Sequence, residues 1–438
     1  MSRIKLSETK PALWLTLIRQ KQTSFLGGSL ITVITTGLST VISGVTSIIV
    51  ARALGSTEFG RLLLFTIGIN TLALFADVIG IYYANAYLLA SQDFNFPLPV
   101  IRGTVLAYGA LVGLLTGWLF SYPLLHDLLF HGLDGWTWTI LLILGLTGQA
   151  LLSQIRGLFL GFKNFLGLGL VGLTQITGYG ALSMIAVYGL HQTNSQVIAW
   201  SQVASIYATL SLFLVHLIWR GIGLPSFAYL RACVRVGWRA AVINWLSFLH
   251  TRVDQFMVNS LLGVNALGLY GVAVTVGELL TRVPSMVGFV LFPLIAAEQN
   301  RAGVAQQTLR RTFMTIGIVA VIATPVGLFA TPLLRLLYGE SFVAAAPALQ
   351  FLLPAITCLA GLYLINNHLA GLGYPLMKLV AMATSLGLNI SLNWLLLPRL
   401  GIVGASLASS VSYLVWLLIA GGYLLWLMHR RTATRGLL

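Results

Sequence analysis

Six ionisable side chains stand inside apolar runs, where a charge is costly unless it is paired or hydrated: Asp77, His250, Arg252, Asp254, Glu278 and Arg282. Their types and spacing allow a short list of chemistries. Arginine presents planar donors that grip an anion such as phosphate bidentately. Acids beside such arginines can hold them when no anion is bound, or take up H+ or Na+ as coupling ions. Glu278 and Arg282 are four apart and can pair on one helix face. His250 and Asp254 are also four apart, which suits a buried hydrogen bond or a proton relay, whereas Arg252 points elsewhere. The competing reading for Arg252 and Glu278 is an ion-pair network that holds two helices together. For Asp77, near a helix end, the structural reading leads.

Little in the sequence supports catalysis or metal chemistry. His126 and His131 are five apart and lack the glutamate and spacing of a metalloprotease helix. Cys233 and Cys358 make neither a disulfide framework nor a thiolate metal site. Glycine is abundant, but it lies within apolar runs and suits helix packing rather than a phosphate loop. No catalytic residue, metal ligand or cofactor is assigned, and coupling to H+ or Na+ stays open.

The elements that must position these charges are membrane helices. The chain has 438 residues, 58% hydrophobic and 8% charged. Soluble domains carry about 25% charged residues, so this chain has too little polar material to cover a soluble fold. It reads as an all-α, polytopic membrane protein. The formal charge of +15 is spread between apolar runs instead of along one face. It therefore argues for anionic lipid headgroups, not nucleic acid.

Twelve runs are long enough to span: 25–50, 60–82, 100–122, 138–160, 167–189, 197–219, 236–262, 266–294, 309–331, 345–370, 376–397 and 402–427. The first is too long for a signal peptide. Residues 11–18 carry apolar side chains at helical spacing and suit a short interfacial helix, or else a disordered tail. With the N-terminus inside, Arg102, Arg156, Lys163, Arg220, Arg231, Arg235, Arg239, Lys378 and the terminal bases all fall on the inner side. Arg52, Arg61, Arg335 and Arg399 fall outside with Asp127 and Asp134. This bias predicts cytoplasmic termini. Pro284, Pro293, Pro325 and Pro354 interrupt the later helices and allow either static kinks or rocking, and Pro332 suits the end of the ninth.

One stretch recurs. Val50, Leu54, Gly55 and Gly60 are matched by Val258, Leu262, Gly263 and Gly268, each 208 positions on. Both copies form the turn of an apolar hairpin, where glycine permits positive φ and close helix approach. The offset gives two six-helix halves, 1–220 and 236–438, joined by a basic cytoplasmic linker at 221–235. An even number of spans gives both halves the same orientation about an axis along the membrane normal.

At these residues the chain resembles the Wzx-type polysaccharide flippases, of the superfamily that also holds multidrug MATE exporters and lipid II flippases. The resemblance runs through Ala51-Arg52 to Gly60, Phe75 to Gly80, Val253-Asp254, Leu262-Gly263, Leu267 to Tyr270 and Phe292-Pro293-Leu294. It continues through Leu337-Tyr338-Gly339, Phe342, Gly371 to Gly373, Asn389, Asn393 and Pro398 to Ala405. It implies a MATE-like fold and transfer of an isoprenoid-diphosphate-linked oligosaccharide, of the undecaprenyl type, to the outer leaflet. Implied partners are membrane lipids and polysaccharide polymerase machinery, in a bacterial inner membrane. On this reading Arg252 and Arg282 meet the lipid diphosphate, and Arg52 and Arg61 receive it after transfer or belong to a solvated turn. A cation-coupled exporter of amphipathic molecules is the nearest alternative, marked by an acidic and aromatic cavity. A glycan-assembly enzyme would need a large outer loop, which the sequence lacks.

Overall fold

The computed structural model describes residues 25–91, 96–297, 301–372 and 376–435, and the expected interfacial helix at 11–18 lies outside them. The described residues form helices joined by short turns, with no strand among them. In the first part of the chain these are α1 (Phe25–Ala76), α2 (Ile81–Ser91), α3 (Leu98–Phe120), α4 (Pro123–Leu129), α5 (Trp136–Gly161), α6 (Phe165–Met184) and α7 (Ser195–Trp219). The later ones are α8 (Phe227–Leu262), α9 (Val264–Ala297), α10 (Arg301–Leu328), α11 (Ala330–Tyr338), α12 (Ala346–Gly371), α13 (Leu376–Leu400) and α14 (Ile402–Arg435). Among the described residues, 10 helices are long and apolar enough to cross a membrane. The molecule is a multi-pass, all-helical membrane protein.

Three boundaries differ from the sequence reading. The expected span 60–82 is interrupted, because α1 ends at Ala76 and α2 begins only at Ile81. The carboxylate of Asp77 accepts the backbone N–H of Ile81 at 2.8 Å and of Tyr82 at 2.9 Å, which caps the first turn of α2. Part of the expected linker is helical: α8 starts at Phe227, capped by the Ser226 hydroxyl, so Arg231 and Arg235 sit on its first turns. Pro332 does not end the ninth expected span. α10 stops at Leu328, and Pro332 lies within the short α11.

Ten is also fewer than the twelve expected. α1 counts once although it is bent at Gly55, where φ is 73° and ψ 176°. α8 is absent from the ten, and it carries Arg231, Arg235, Arg239, Arg252 and Asp254.

The paired turns of the sequence repeat share one backbone conformation. Gly263, between α8 and α9, has φ 85° and ψ 175°, close to Gly55. Only glycine enters that region without steric cost. The two turns also meet. A Cβ on Gly60 would run into the Val264 carbonyl oxygen, and a Cβ on Gly268 into the Ser56 carbonyl oxygen. The contact is reciprocal, because 56 and 264, like 60 and 268, are partners at the same offset. The neighbouring bonds keep the relation. Arg52 donates to the Leu336 carbonyl at 2.9 Å, and Ser260 to the Leu128 carbonyl at 3.1 Å. Thr57 donates to Asn265 Oδ1 at 3.4 Å, its own equivalent 208 residues on. α1 and α9 thus cross at one end with backbones in contact, the close approach that small residues allow in membrane helices.

Away from that crossing the two helices are flanked by different neighbours. α1 packs on α5, α6 and α7, whereas α9 packs on α12. α12 in turn packs on α10 and α14.

Candidate functional site

Below the crossing, α8 and α9 bring the intramembrane charges together in part. Arg252 Nη1 lies 2.9 Å from Glu278 Oε1, so the two stand at one level on facing helices, as their distance from the Gly263 turn predicts. Arg282 Nη2 is 3.9 Å from Glu278 Oε2. Glu278 is therefore held mainly by the facing helix and only weakly by its neighbour four residues on. Arg282, with 48% of its side chain exposed, keeps most of its donors free for another partner.

His250 and Asp254 do not bond to each other. His250 Nε2 is 2.6 Å from the Ser385 hydroxyl on α13, and the ring lies against Tyr413 and Trp416 of α14. Asp254 accepts the Tyr270 hydroxyl at 2.5 Å, the Ser409 hydroxyl at 3.2 Å and the Gln255 N–H at 2.8 Å. A relay through this pair has no direct path, because each group is turned to a different helix. Asp77 sits apart, as the cap of α2.

Two cavities meet at the Arg252–Glu278–Arg282 cluster, and all three residues line both. The first, about 480 Å³, lies between α1, α5 and α6 on one side and α8 and α9 on the other. Its polar wall holds Asn70, Gln149 and Arg156. These form a chain: Arg156 donates to Gln175 Oε1 at 2.5 Å, Gln175 to Gln149 at 3.0 Å, and Gln149 to Asn70 Oδ1 at 2.8 Å. Asn70 is the repeat equivalent of Glu278, so the first part of the chain places a neutral amide where the second places an acid. The second cavity, about 530 Å³, is bounded largely by α8, α9, α12, α13 and α14. Amides and rings line it, among them Asn244, Asn366, Asn367, Tyr363 and Trp416, and so does Lys378.

The sequence reading missed Arg156 and Lys378 as site residues. Both were assigned to the inner rim, yet both lie inside expected spans, 138–160 and 376–397. That position was the signal. Conversely, Arg52 and Arg61 are occupied by the protein. Arg52 holds the Leu336 carbonyl, and Arg61 pairs with Glu58, which also accepts the Ser195 N–H at 3.1 Å. Arg335, on α11, is bound by both oxygens of Glu340 at 2.7 and 3.0 Å, and those hydrogen bonds hold its pKa above the ordinary arginine value.

Residues 136–347 match the family model described as "Polysaccharide biosynthesis protein". A probable low-salt glycan biosynthesis flippase of Haloferax volcanii is 23% identical over 287 residues, which covers 65% of this chain and 59% of that protein. An uncharacterized membrane protein of Methanocaldococcus jannaschii is 26% identical over 186 residues, covering 42% of this chain and 36% of that one. Each match thus spans less than two thirds of the relative. Among solved structures, the lipid II flippase MurJ in an inward closed conformation superposes with a TM-score of 0.70 at 12% identity, over 89% of this chain and 86% of that one. The inward-facing conformation of a multidrug MATE transporter gives 0.68 at 16% identity, over 92% and 99%. Over residues 136–347 the chain is thus similar to polysaccharide biosynthesis proteins, and its fold is the one shared by the MurJ flippase and the MATE transporter. In this fold the charge cluster stands where the two cavities meet.

Proposed function

We propose that this chain moves an isoprenoid-diphosphate-linked oligosaccharide from the inner to the outer leaflet. The observation that carries the reading is the cationic junction. Arg156, Arg252, Arg282 and Lys378 line the joined cavities, against Glu278 and the hydrogen-bonded Asp254. An exporter of cationic drugs would need the opposite balance. A diphosphate suits guanidinium donors in a site partly withdrawn from water, where their attraction is stronger. The amides and rings of the second cavity suit the sugar hydroxyls and faces beside it. Undecaprenyl diphosphate is the carrier we favour, in a bacterial inner membrane and beside polymerase machinery.

The mechanism is alternating access between halves 1–220 and 236–438. Counting α1 as two crossings at Gly55 and α8 as another brings the ten helices to twelve. The reciprocal crossing of α1 and α9 closes one end, while the second cavity continues past Ser285 and Asn367 toward the opposite, basic end. Coupling to H+ or Na+ at Asp254 would tie the buried hydroxyls around it to the movement of α8. Depleting the protein should strand its lipid-linked glycan on the inner leaflet, measured by accessibility of the sugar to an added lectin in inverted and right-side-out vesicles. Normal outer-leaflet glycan after depletion would end the proposal.

The orientation has its own test. In a background lacking Cys233 and Cys358, Thr57→Cys and Asp134→Cys should react with an impermeant thiol reagent in intact cells, since both positions are exposed near the turn end. Leu133, beside Asp134, is fully buried and unsuited to labelling. Leu224→Cys, 85% exposed at the other end, should react only after permeabilisation. The reverse pattern would place the termini outside.

A further inference from the structure

A third cavity, of about 380 Å³, lies at the basic end of the bundle, away from the charge cluster. It is enclosed by the start of α3, the end of α5, the turn into α6 and the end of α7. Arg102, Lys163, His216 and Arg220 line it, with Phe159 and Phe162 on its apolar wall and no carboxylate among the described lining residues. Arg102 is nearly buried, and its Nη1 donates to the carbonyls of Arg220 and Gly221, which ties α3 to the end of α7. The side chains of Lys163, His216 and Arg220 make no hydrogen bond or ion pair with any described residue. Lys163 also holds a left-handed backbone, φ 54°, which side chains other than glycine and asparagine rarely adopt. Trp219, the chain neighbour of Arg220, is 88% exposed, as suits an aromatic anchor at headgroup level.

We propose that this cavity binds the phosphate headgroup of an anionic phospholipid from the leaflet at that end. Like charges crowded into one concavity without a counter-ion repel each other, and a phosphate relieves that repulsion. Basic pockets between membrane helices are suited to such headgroups. A lipid fits better than a free anion because the wall beside the cations is aromatic and its Phe162 is itself exposed. Bound there, the headgroup would bridge α3, the turn into α6 and α7, steadying the packing around α5, whose Arg156 faces the first cavity.

The test uses the full chain in detergent, with native mass spectrometry against phosphatidylglycerol and phosphatidylcholine of identical acyl chains. The wild type should retain phosphatidylglycerol in preference. A basic residue near the surface is worth about fivefold in anionic lipid affinity, so Lys163→Gln combined with Arg220→Gln should weaken retention about thirtyfold. Arg335→Gln, on α11 and bound to Glu340 outside all three cavities, should leave retention unchanged. Inorganic phosphate alone should neither displace the lipid nor raise the melting temperature. Equal retention of the two lipids by the wild type would overturn the proposal, whatever the variants do. So would unchanged retention in the double variant, or stabilisation by inorganic phosphate alone, which would make this a free-anion site.

Discussion

Arg282→Ala should abolish glycan export while leaving the protein inserted and folded. The side chain is half exposed, lines both cavities, and reaches Glu278 only at 3.9 Å, so its removal breaks no tight native bond. What it removes is a charged donor facing the cavity. A hydrogen bond to a charged group is worth about 1.5–3 kcal/mol, which corresponds to roughly a ten- to hundredfold loss in substrate affinity. Arg282→Lys should recover part of the activity, because the charge survives but the bidentate fork does not. Arg252→Ala is a different experiment. It strips Glu278 of its 2.9 Å partner and leaves a half-buried acid facing both cavities. Its export should fall as well, and its melting temperature should fall with it. Transport measured in vesicles, normalised to protein level, separates the two. An Arg282→Ala variant that exports normally would reduce the α9 charge to a packing device.

How much of this was legible in the sequence depends on what each feature rests on. The all-helical membrane class rests on composition, which is a property of the whole chain. The repeat rests on four positions in short apolar windows, and glycine stands at two of them for different reasons: a φ near +80° at Gly55 and Gly263, and a facing carbonyl at Gly60 and Gly268. The pairing of Arg252 with Glu278 followed from counting residues back from one turn, since a helix rises uniformly. Asp77 was legible as a helix-end residue, but not the break it caps, because Val78 and Ile79 are apolar and the run reads as continuous. His250 and Asp254 illustrate the opposite failure. Spacing places two groups on one helix face but does not say that Ser385, Tyr270 and Ser409, on other helices, will satisfy them first. Arg156 and Lys378 were hidden by their usefulness in the charge count. A basic residue near a span end reads as an orientation signal, and only the packing of α5 and α13 shows that these two line cavities.

The crossing of α1 and α9 carries the second large effect. Gly60→Val and Gly268→Val each place a side chain against a carbonyl oxygen of the facing helix. Backbone cannot rotate away as a flexible side chain would, so the two helices must part. Overpacking a tight contact costs about 1–3 kcal/mol. That cost falls on the state in which this end is closed. If alternating access separates α1 from α9 here, the open-end state loses nothing, and the equilibrium shifts toward it by roughly five- to a hundredfold. Ser47 and Thr66 line the first cavity near this end, so Ser47→Cys or Thr66→Cys should gain reactivity with an impermeant reagent from the outside when combined with either valine. The reciprocity makes the prediction sharper. Because Gly60 and Gly268 meet equivalent carbonyls, the two valines should act alike, and Gly387→Val, where a Cβ meets nothing, should do neither. Export should fall in both crossing variants because the closed end can no longer reform. Lower thermal stability without new labelling from outside would show that the crossing is a fixed joint, and that the halves separate elsewhere.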